Sequence, residues 1–539
     1  MKLLLVLAGI GWATTFTNAA EPVALPAPAI EVRVKAIAEL TGIIEYAGEV
    51  LMQPEAGKQF AQTIKTLGAG EKGLEGIDPA LPIGGYVRIS ENIADSAIVV
   101  LVPLKDDAAF RAMLKDKLNV EPKAGDDGVY TVEVPRLPLG AVYFRVIGKY
   151  AYATIRNLKS IDPATVIAPE DFFKDPVKPI VAATVRWDRF PADVKKVLLG
   201  QVELQLVEAT KDAGGSELQK QARRGLVDIG VDMVKSILTD GEQLTVTIDA
   251  DPQSDTLSTA VRLTAKPKTP LAANLALWAD RTSLAASVAV AKNPVGSLGL
   301  IAKIPSGTRE KLTKLIDVLF DELLAGADDD AKPLTTKLVD AIGPTLKSDD
   351  VQLGLLVAKA EKEKGIRLHA AVKTVKGGEL ENTLREFAPL LMGGDASLKF
   401  DVEKLGARNL HEGRFSNPPF TDAFGTEMAW IVTSDDLLAV GIEDKPTGLK
   451  SFLESKPSKL PMLSLELSAV KLGQLGDKNL SPEKYEELTR TVFGKAGPAG
   501  LDTVKLTITG GTELNLKFDF KGQAFKFFAL IDQERKKQH

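Results

Sequence analysis

Residues 504–520 alternate with a period of two. Val504, Leu506 and Ile508 are apolar, Lys505, Thr507 and Thr509 are polar, and after Gly510-Gly511 the apolar residues return at Leu514, Leu516, Phe518 and Phe520. This is the period of a β-hairpin with one apolar face. Leu244, Val246 and Ile248, followed by Val261, Leu263 and Ala265, have the same form. Strands that alternate in this way belong to antiparallel sheets packed on helices over one face, not to the solid apolar strands of a parallel sheet. The expected class is therefore α+β, and a doubly wound nucleotide-binding fold is disfavoured.

Amphipathic helices interrupt these strands in an order that recurs. In the first half, Val34, Ile37, Leu40, Ile43, Ile44, Ala47, Val50 and Leu51 share one helical face, and strands are expected at 85–90 and 97–103. Asp106 and Asp107 then open a helix with Phe110, Met113, Leu114 and Leu118 inward, before strands near 130–135, 141–147, 150–156 and 179–187 and helical sequence over most of 191–239. In the second half a helix with Leu312, Leu315, Ile316, Leu319, Phe320, Leu323 and Leu324 on one seam precedes strands at 351–358 and 366–374. A helix with Leu380, Leu384 and Phe387 inward, four short strands, a helix near 447–454, a strand at 462–467 and a Ser481-Pro482 helix start follow. Leu380 stands 270 residues after Phe110, and Leu506 stands 260 after Val246. Two tandem, similarly organised α+β units are expected, at 31–270 and 307–533. Residues 271–306, with strands at 283–290 and near 298–304, read as connecting strands, and 534–539 as a polar tail.

The first residues carry an address. Lys2 precedes an apolar run from Leu3 to Phe16, and small residues follow at Ala19 and Ala20. Residues 1–20 read as a secretory signal peptide and 21–30, rich in Pro and Ala, as a spacer. The chain is expected to be exported, to a periplasm or the cell exterior, with no transmembrane span once the signal is removed.

Composition narrows the chemistry. The absence of Cys excludes disulfides, thiolate metal sites and Cys nucleophiles, and three His (His369, His411, His539) leave little material for a His-rich metal site or relay. A net charge of −5 gives no footprint for nucleic acid. Gly68-Ala69-Gly70-Glu71-Lys72-Gly73 matches G-x-G-x-x-G, but it follows a helical pattern with Phe60, Ile64 and Leu67 instead of a strand, so it reads as a loop. Asp249 to Asp255 has the spacing of a calcium loop, with Ser254 and Ala260 where Gly and Glu are needed, so it reads as a polar turn. Asp328-Asp329-Asp330 reads as a cap and solvated turn. His369 and His411 lie on different strands with no relay partner nearby in sequence. Asn479-Leu480-Ser481 matches a glycosylation sequon whose Ser already caps a helix. No catalytic, cofactor-binding or metal-binding residues are assigned, and no cofactor is expected.

The feature most like a binding site is a difference between the halves. Where the first joins two strands by Arg136 to Gly140, the second carries a longer segment containing Arg414, Phe415, Pro418, Pro419, Phe420 and Phe424. A stiff aromatic segment of this kind suits a partner; a segment folded back on its own sheet would use the same Phe residues. Trp187-Asp188-Arg189-Phe190, at a strand-to-helix junction, is a second candidate. These readings together suggest an exported, non-catalytic binding or scaffold protein of the bacterial envelope, with a protein or envelope component as partner. A carrier of an apolar small molecule is the alternative, and a carboxylate-dependent hydrolase of an envelope polymer the second alternative.

Overall fold

The computed structural model describes residues 25–50, 69–70, 73–74, 76–125, 127–133, 141–155, 157–174, 177–211, 217–291, 294–329, 331–360, 365–391, 396–476 and 480–537. The expected signal peptide, the 136–140 loop, Asn479, His539 and half of the Gly68–Gly73 string lie outside these residues. The fold is α+β, with mixed helices and antiparallel sheet. It divides into two compact units, drawn from residues 1–200 with 241–263 and from 201–240 with 264–539. Among the described residues no helix is long and apolar enough to cross a membrane.

The first unit contains β1 (Ile30–Val34), α1 (Ile37–Val50), β2 (Ile83–Arg88), β3 (Ala97–Pro103), α2 (Asp107–Leu118), β4 (Tyr130–Glu133), β5 (Ala141–Ile147), β6 (Tyr150–Thr154), α3 (Pro169–Phe172), β7 (Val181–Arg186) and β8 (Gly241–Asp251). Val34, placed on a helix by its spacing to Ile37, ends β1 instead. The local alternation Ile30-Glu31-Val32-Arg33-Val34 and the pairing of β1 with strands on both sides decide the matter. The strands lie in the order β4-β5-β6-β3-β2-β1-β7-β8, every pair antiparallel. Asp106 caps α2 by accepting from Ala109 N at 2.6 Å. The helix lays Phe110 and Met113 on Val132, Phe144 and Ala151, one face of the β4–β6 end. On the opposite face Tyr86, Leu101 and Tyr152 pack under Ile161 and Phe172. Fully burying each such side chain contributes about 1.5–3 kcal/mol.

The second unit contains α4, which begins in the first (Ala192–Lys211), α5 (Glu217–Asp240), α6 (Pro270–Leu277), α7 (Leu284–Ser287), β9 (Gly296–Lys303), α8 (Ser306–Ala325), α9 (Lys332–Leu346), β10 (Asp350–Lys359), β11 (Ile366–Lys373), α10 (Gly377–Leu391), β12 (Ala396–Leu405), β13 (Arg408–Phe415), α11 (Pro418–Phe424), β14 (Met428–Ser434), β15 (Leu437–Ile442), α12 (Thr447–Glu454), β16 (Leu463–Ser468), α13 (Ala469–Gly476), α14 (Pro482–Phe493), β17 (Thr503–Thr509), β18 (Glu513–Lys521) and α15 (Gly522–Lys536). Its strand order is β12-β13-β14-β15-β11-β10-β9-β16-β17-β18, again antiparallel throughout.

Three expectations change here. Residues 271–306 contain β9, a central strand of this sheet paired with β10 and β16. The stretch 283–290 is strand only at its start, in the Arg281–Ser283 pairing with Ser458–Leu460; Ser283 then caps α7. The tail from 534 continues α15 as far as Lys536. The seam on α8 is present, yet no residue of that helix is fully buried, and Leu319 and Leu323 remain half exposed. Gly225 on α5 lets Leu315 approach, since a Cβ there would stand 2.6 Å from Leu315 Cδ2.

One face of this sheet packs under α7 and α12, with Leu449, Phe452 and Val288 against Val432, Ala439 and Ala371. The other carries a cross-strand row, Phe518–Leu506–Leu465–Leu298–Leu355–Ala370–Val440–Ile431, apolar across eight strands. None of the eight is fully buried.

Candidate functional site

Of the segment 414–425, Arg414 and Phe415 end β13 and Pro418–Phe424 form the short helix α11. Asn417 caps α11 by accepting from Phe420 N at 3.0 Å, Pro418 fills the first turn, and Gly425, at φ +69°, ends the helix. Asn-Pro-Pro was the sequence signal for this helix. Phe415, Phe420 and Phe424 form an aromatic ladder with centroid spacings of 5.1 and 4.8 Å. All three are half-buried, whereas Arg414, Pro418 and Pro419 are exposed. Arg414 Nε pairs with Glu427 at 2.7 Å on the surface. The three rings stack on one another, and Arg414, Pro418 and Pro419 form the more exposed edge of the segment.

Two adjoining hollows flank the end of α11. One, of about 270 Å³, lies among Arg367, Phe424, Ile442, Glu443, Lys445 and Thr447. The other, of about 410 Å³, lies among Arg414, Thr421, Glu427, Met428 and Asp444. The sequence segment accordingly forms one wall of a groove with mixed charge. The opposite wall comes from β11, β15 and the start of α12.

Glu443 sits in the wall of the first hollow. Its carboxylate accepts from Gly448 N at 3.0 Å and Leu449 N at 2.8 Å, the free amides of the α12 N-terminus. His369 Nε2 stands 3.4 Å from Glu443 Oε1 and has no well-formed hydrogen bond. Burial alone would push the Glu443 carboxyl up; the imidazole beside it and the two amides outweigh this and hold it below the ordinary glutamate range. The pairing is invisible in the sequence because 74 residues separate the partners. The β11–β15 register, which sets His369 opposite Gly441, brings them together.

His411 occupies a second buried cluster, under α10. Its Nδ1 accepts from Asp401 N at 3.0 Å, so Nε2 carries the proton and donates to Thr433 Oγ1 at 2.9 Å. Thr433 donates in turn to Glu381 Oε2 at 2.5 Å. Asn409 and Arg385 complete the Glu381 shell, Arg385 reaching Glu381 at 2.6 Å and Asp401 at 2.7 Å. Burial favours the uncharged Glu381, but the Thr433, Arg385 and Asn409 hydrogen bonds win and hold its pKa at about 2. Burial lowers the His411 pKa, against the opposing pull of Glu381 and Asp401.

Ligand atoms of Glu381, Asp401 and His411 lie within 4.8 Å of one another, a spacing a metal ion could bridge. Both ring nitrogens are already engaged, however, and the Arg385 guanidinium lies between the two carboxylates. The donor set is that of a satisfied structural network, not of a metal centre. Among the described residues, the hydroxyl hydrogen-bonded to His411, that of Thr433, donates to Glu381.

The Asp249–Asp255 turn holds no converging carboxylates; Asp251 accepts from Gln253 N at 2.9 Å, and Asp255 accepts from Tyr46 at 2.9 Å. Ala331, not Asp328, occupies the cap of α9, with the Asp328 carbonyl taking the Ala331 amide at 2.9 Å. Compared with known proteins, the chain matches no family model, no curated sequence and no solved structure.

Proposed function

We propose that this chain is an exported, non-catalytic binding protein of the bacterial envelope, built on a duplicated α+β module that offers partly covered apolar sheet faces to a partner. The observation that carries the binding reading is the eight-residue row ending at Phe518 and Ile431, apolar throughout and nowhere fully covered. Apolar surface left open to water at this scale costs about 25 cal/mol per Å² and commonly marks a contact surface. The first unit has a counterpart, Val246–Ala183–Val32–Gly85–Val100–Ala153–Phe144–Tyr130, of which Phe144, under α2, is fully buried. Val100 and nearby Ile98 are each 40% exposed.

Three observations support duplication. The first unit's strand order coincides position by position with β13-β14-β15-β11-β10-β9-β16-β17 of the second. Val246 and Leu506 occupy the same place in the two rows. Each unit also lays a helix, α2 or α10, over the same end of the same face, with Phe110 and Leu380 pointing inward.

An environment-sensitive apolar dye added to the folded full-length chain tests the binding reading. Strong emission that Phe518→Gln and Val100→Gln together reduce several-fold, with unchanged melting temperature, supports it. Absence of emission from the native chain refutes it. A second reading, carriage of an apolar small molecule, draws on the same row and predicts a co-purifying lipid.

A further inference from the structure

Three arginines of the first unit converge on one carboxylate. Glu31 on β1 meets Arg33 Nη2 at 3.1 Å, Arg186 Nε at 3.5 Å and Arg189 Nη1 at 3.9 Å. The register explains the gathering. Glu31 lies opposite Tyr86 on β2 and Thr184 on β7, so Arg33, Arg186 and Arg88, each an even number of positions away, project from the same face. Arg189 arrives from the short turn that follows β7, where its Nη1 also donates to Pro28 O at 2.6 Å. The cluster lies on the face opposite the apolar row, at the β1–β7 end, beside the buried core of Tyr86 and Phe172.

The charges do not balance. Arg33, Arg186 and Arg189 carry three positive charges against the single charge of Glu31, and no other carboxylate lies within 4.0 Å of them among the described residues. The Nε groups of Arg33, Arg88 and Arg186 are buried and have no hydrogen-bond partner. The guanidinium groups of Arg33 and Arg88 lie over the Phe172 and Tyr86 rings at 5.1 and 5.2 Å, and Arg88 Nη2 donates to Thr165 O at 2.7 Å, so it is the uncompensated charge of Arg33, Arg186 and Arg189 that an anion would answer. The side chains of Arg33, Arg186 and Arg189 remain 23–31% exposed, so an anion can reach them.

We propose that this face binds a phosphate group. Guanidinium forks match the oxygens of phosphate in pairs, and a residual charge of two matches a phosphate dianion better than a carboxylate. In the absence of ligand Glu31 serves as the internal counter-charge. The site is independent of the apolar-face reading, since it lies on the opposite side of the first unit's sheet.

Calorimetric titration of the full-length chain with inorganic phosphate, at constant ionic strength, tests the proposal. Binding is expected to weaken roughly ten- to a hundredfold in Arg186→Gln, the loss expected for a charge-assisted hydrogen bond. Glu31→Gln moves the affinity the other way, which a merely misfolded variant would not do. Acetate at the same concentration is expected to bind more weakly than phosphate. Sedimentation with phosphatidic acid vesicles, but not with phosphatidylcholine vesicles, and its loss in Arg186→Gln would assign the phosphate to a lipid headgroup; phosphate binding without vesicle binding would assign it to a free phosphate. No phosphate binding by the wild-type chain, or equal binding by wild type and Arg186→Gln, overturns the proposal.

Discussion

His411 Nε2 lies 2.9 Å from Thr433 Oγ1, both side chains are buried, and the hydroxyl donates its own hydrogen bond to the Glu381 carboxylate. The direction of this chain is fixed from its far end, because the Asp401 amide occupies Nδ1. Removing the middle link leaves the His411 Nε2 donor without its partner and takes one of several hydrogen bonds from Glu381, which keeps Asn409 and Arg385. Thr433→Val, which keeps the shape, is therefore expected to cost about 1–3 kcal/mol in chemical denaturation, and Thr433→Ser to retain most of the stability. Equal stabilities for the two variants would contradict the network.

The same cluster gives two pH windows. The His411 pKa is lowered in the folded state, so the unfolded chain binds the proton more readily. The contribution of neutral His411 is fully present above its ordinary value of 6.5 and is lost as pH falls below it. Glu381 titrates lower: its contribution is present above the ordinary 4.5 and is lost as pH falls towards about 2. Denaturation midpoints at pH 7.5 and 5.5 are expected to differ more for the wild type than for His411→Gln. An unchanged difference would show that His411 does not titrate with folding.

Gly448 opens α12 directly over the His369–Glu443 contact. A Cβ there would stand 2.6 Å from His369 Cε1 and 2.8 Å from Glu443 Oε2. Helix propensity alone favours Gly448→Ala by up to about 1 kcal/mol. Overpacking should dominate, giving a net loss of about 1–3 kcal/mol. A stabilised variant in a thermal melt would mean that the wall of the groove yields.

Phe420 is the middle rung of the 415–420–424 ladder. Phe420→Ala is expected to destabilise by about 1–3 kcal/mol, less than the 3–5 of a fully buried Phe. Arg414→Ala removes only an exposed ion pair and should change stability by less than about 0.5 kcal/mol. Loss of partner binding in Arg414→Ala would therefore report on the groove, not on folding.

Strands with long, strict alternation were legible in the sequence. Val504, Leu506, Ile508 and their return at Leu516, Phe518 and Phe520 needed no tertiary information, and neither did the Asp106 and Ser481 helix starts. β1 was obscured because its five residues run into α1 with apolar spacing common to both. β9 was seen as a strand near 298–304, but its place at the centre of a sheet depends on β10 and on β16, more than 150 residues away. The groove was half legible: composition exposed the Phe and Pro residues of α11, while Glu443 and His369 enter it only through strand register. The arginine cluster was hidden for the same reason, since Glu31 and Arg186 meet across β1 and β7.

Native mass spectrometry of the full-length chain, recovered from envelope extract without denaturant, bears most directly on the proposed role. A bound protein or apolar molecule is predicted, present on the wild-type chain and lost from a folded Phe518→Gln, Val100→Gln variant. The bare chain mass for both proteins, under conditions that preserve known weak complexes, would contradict the account.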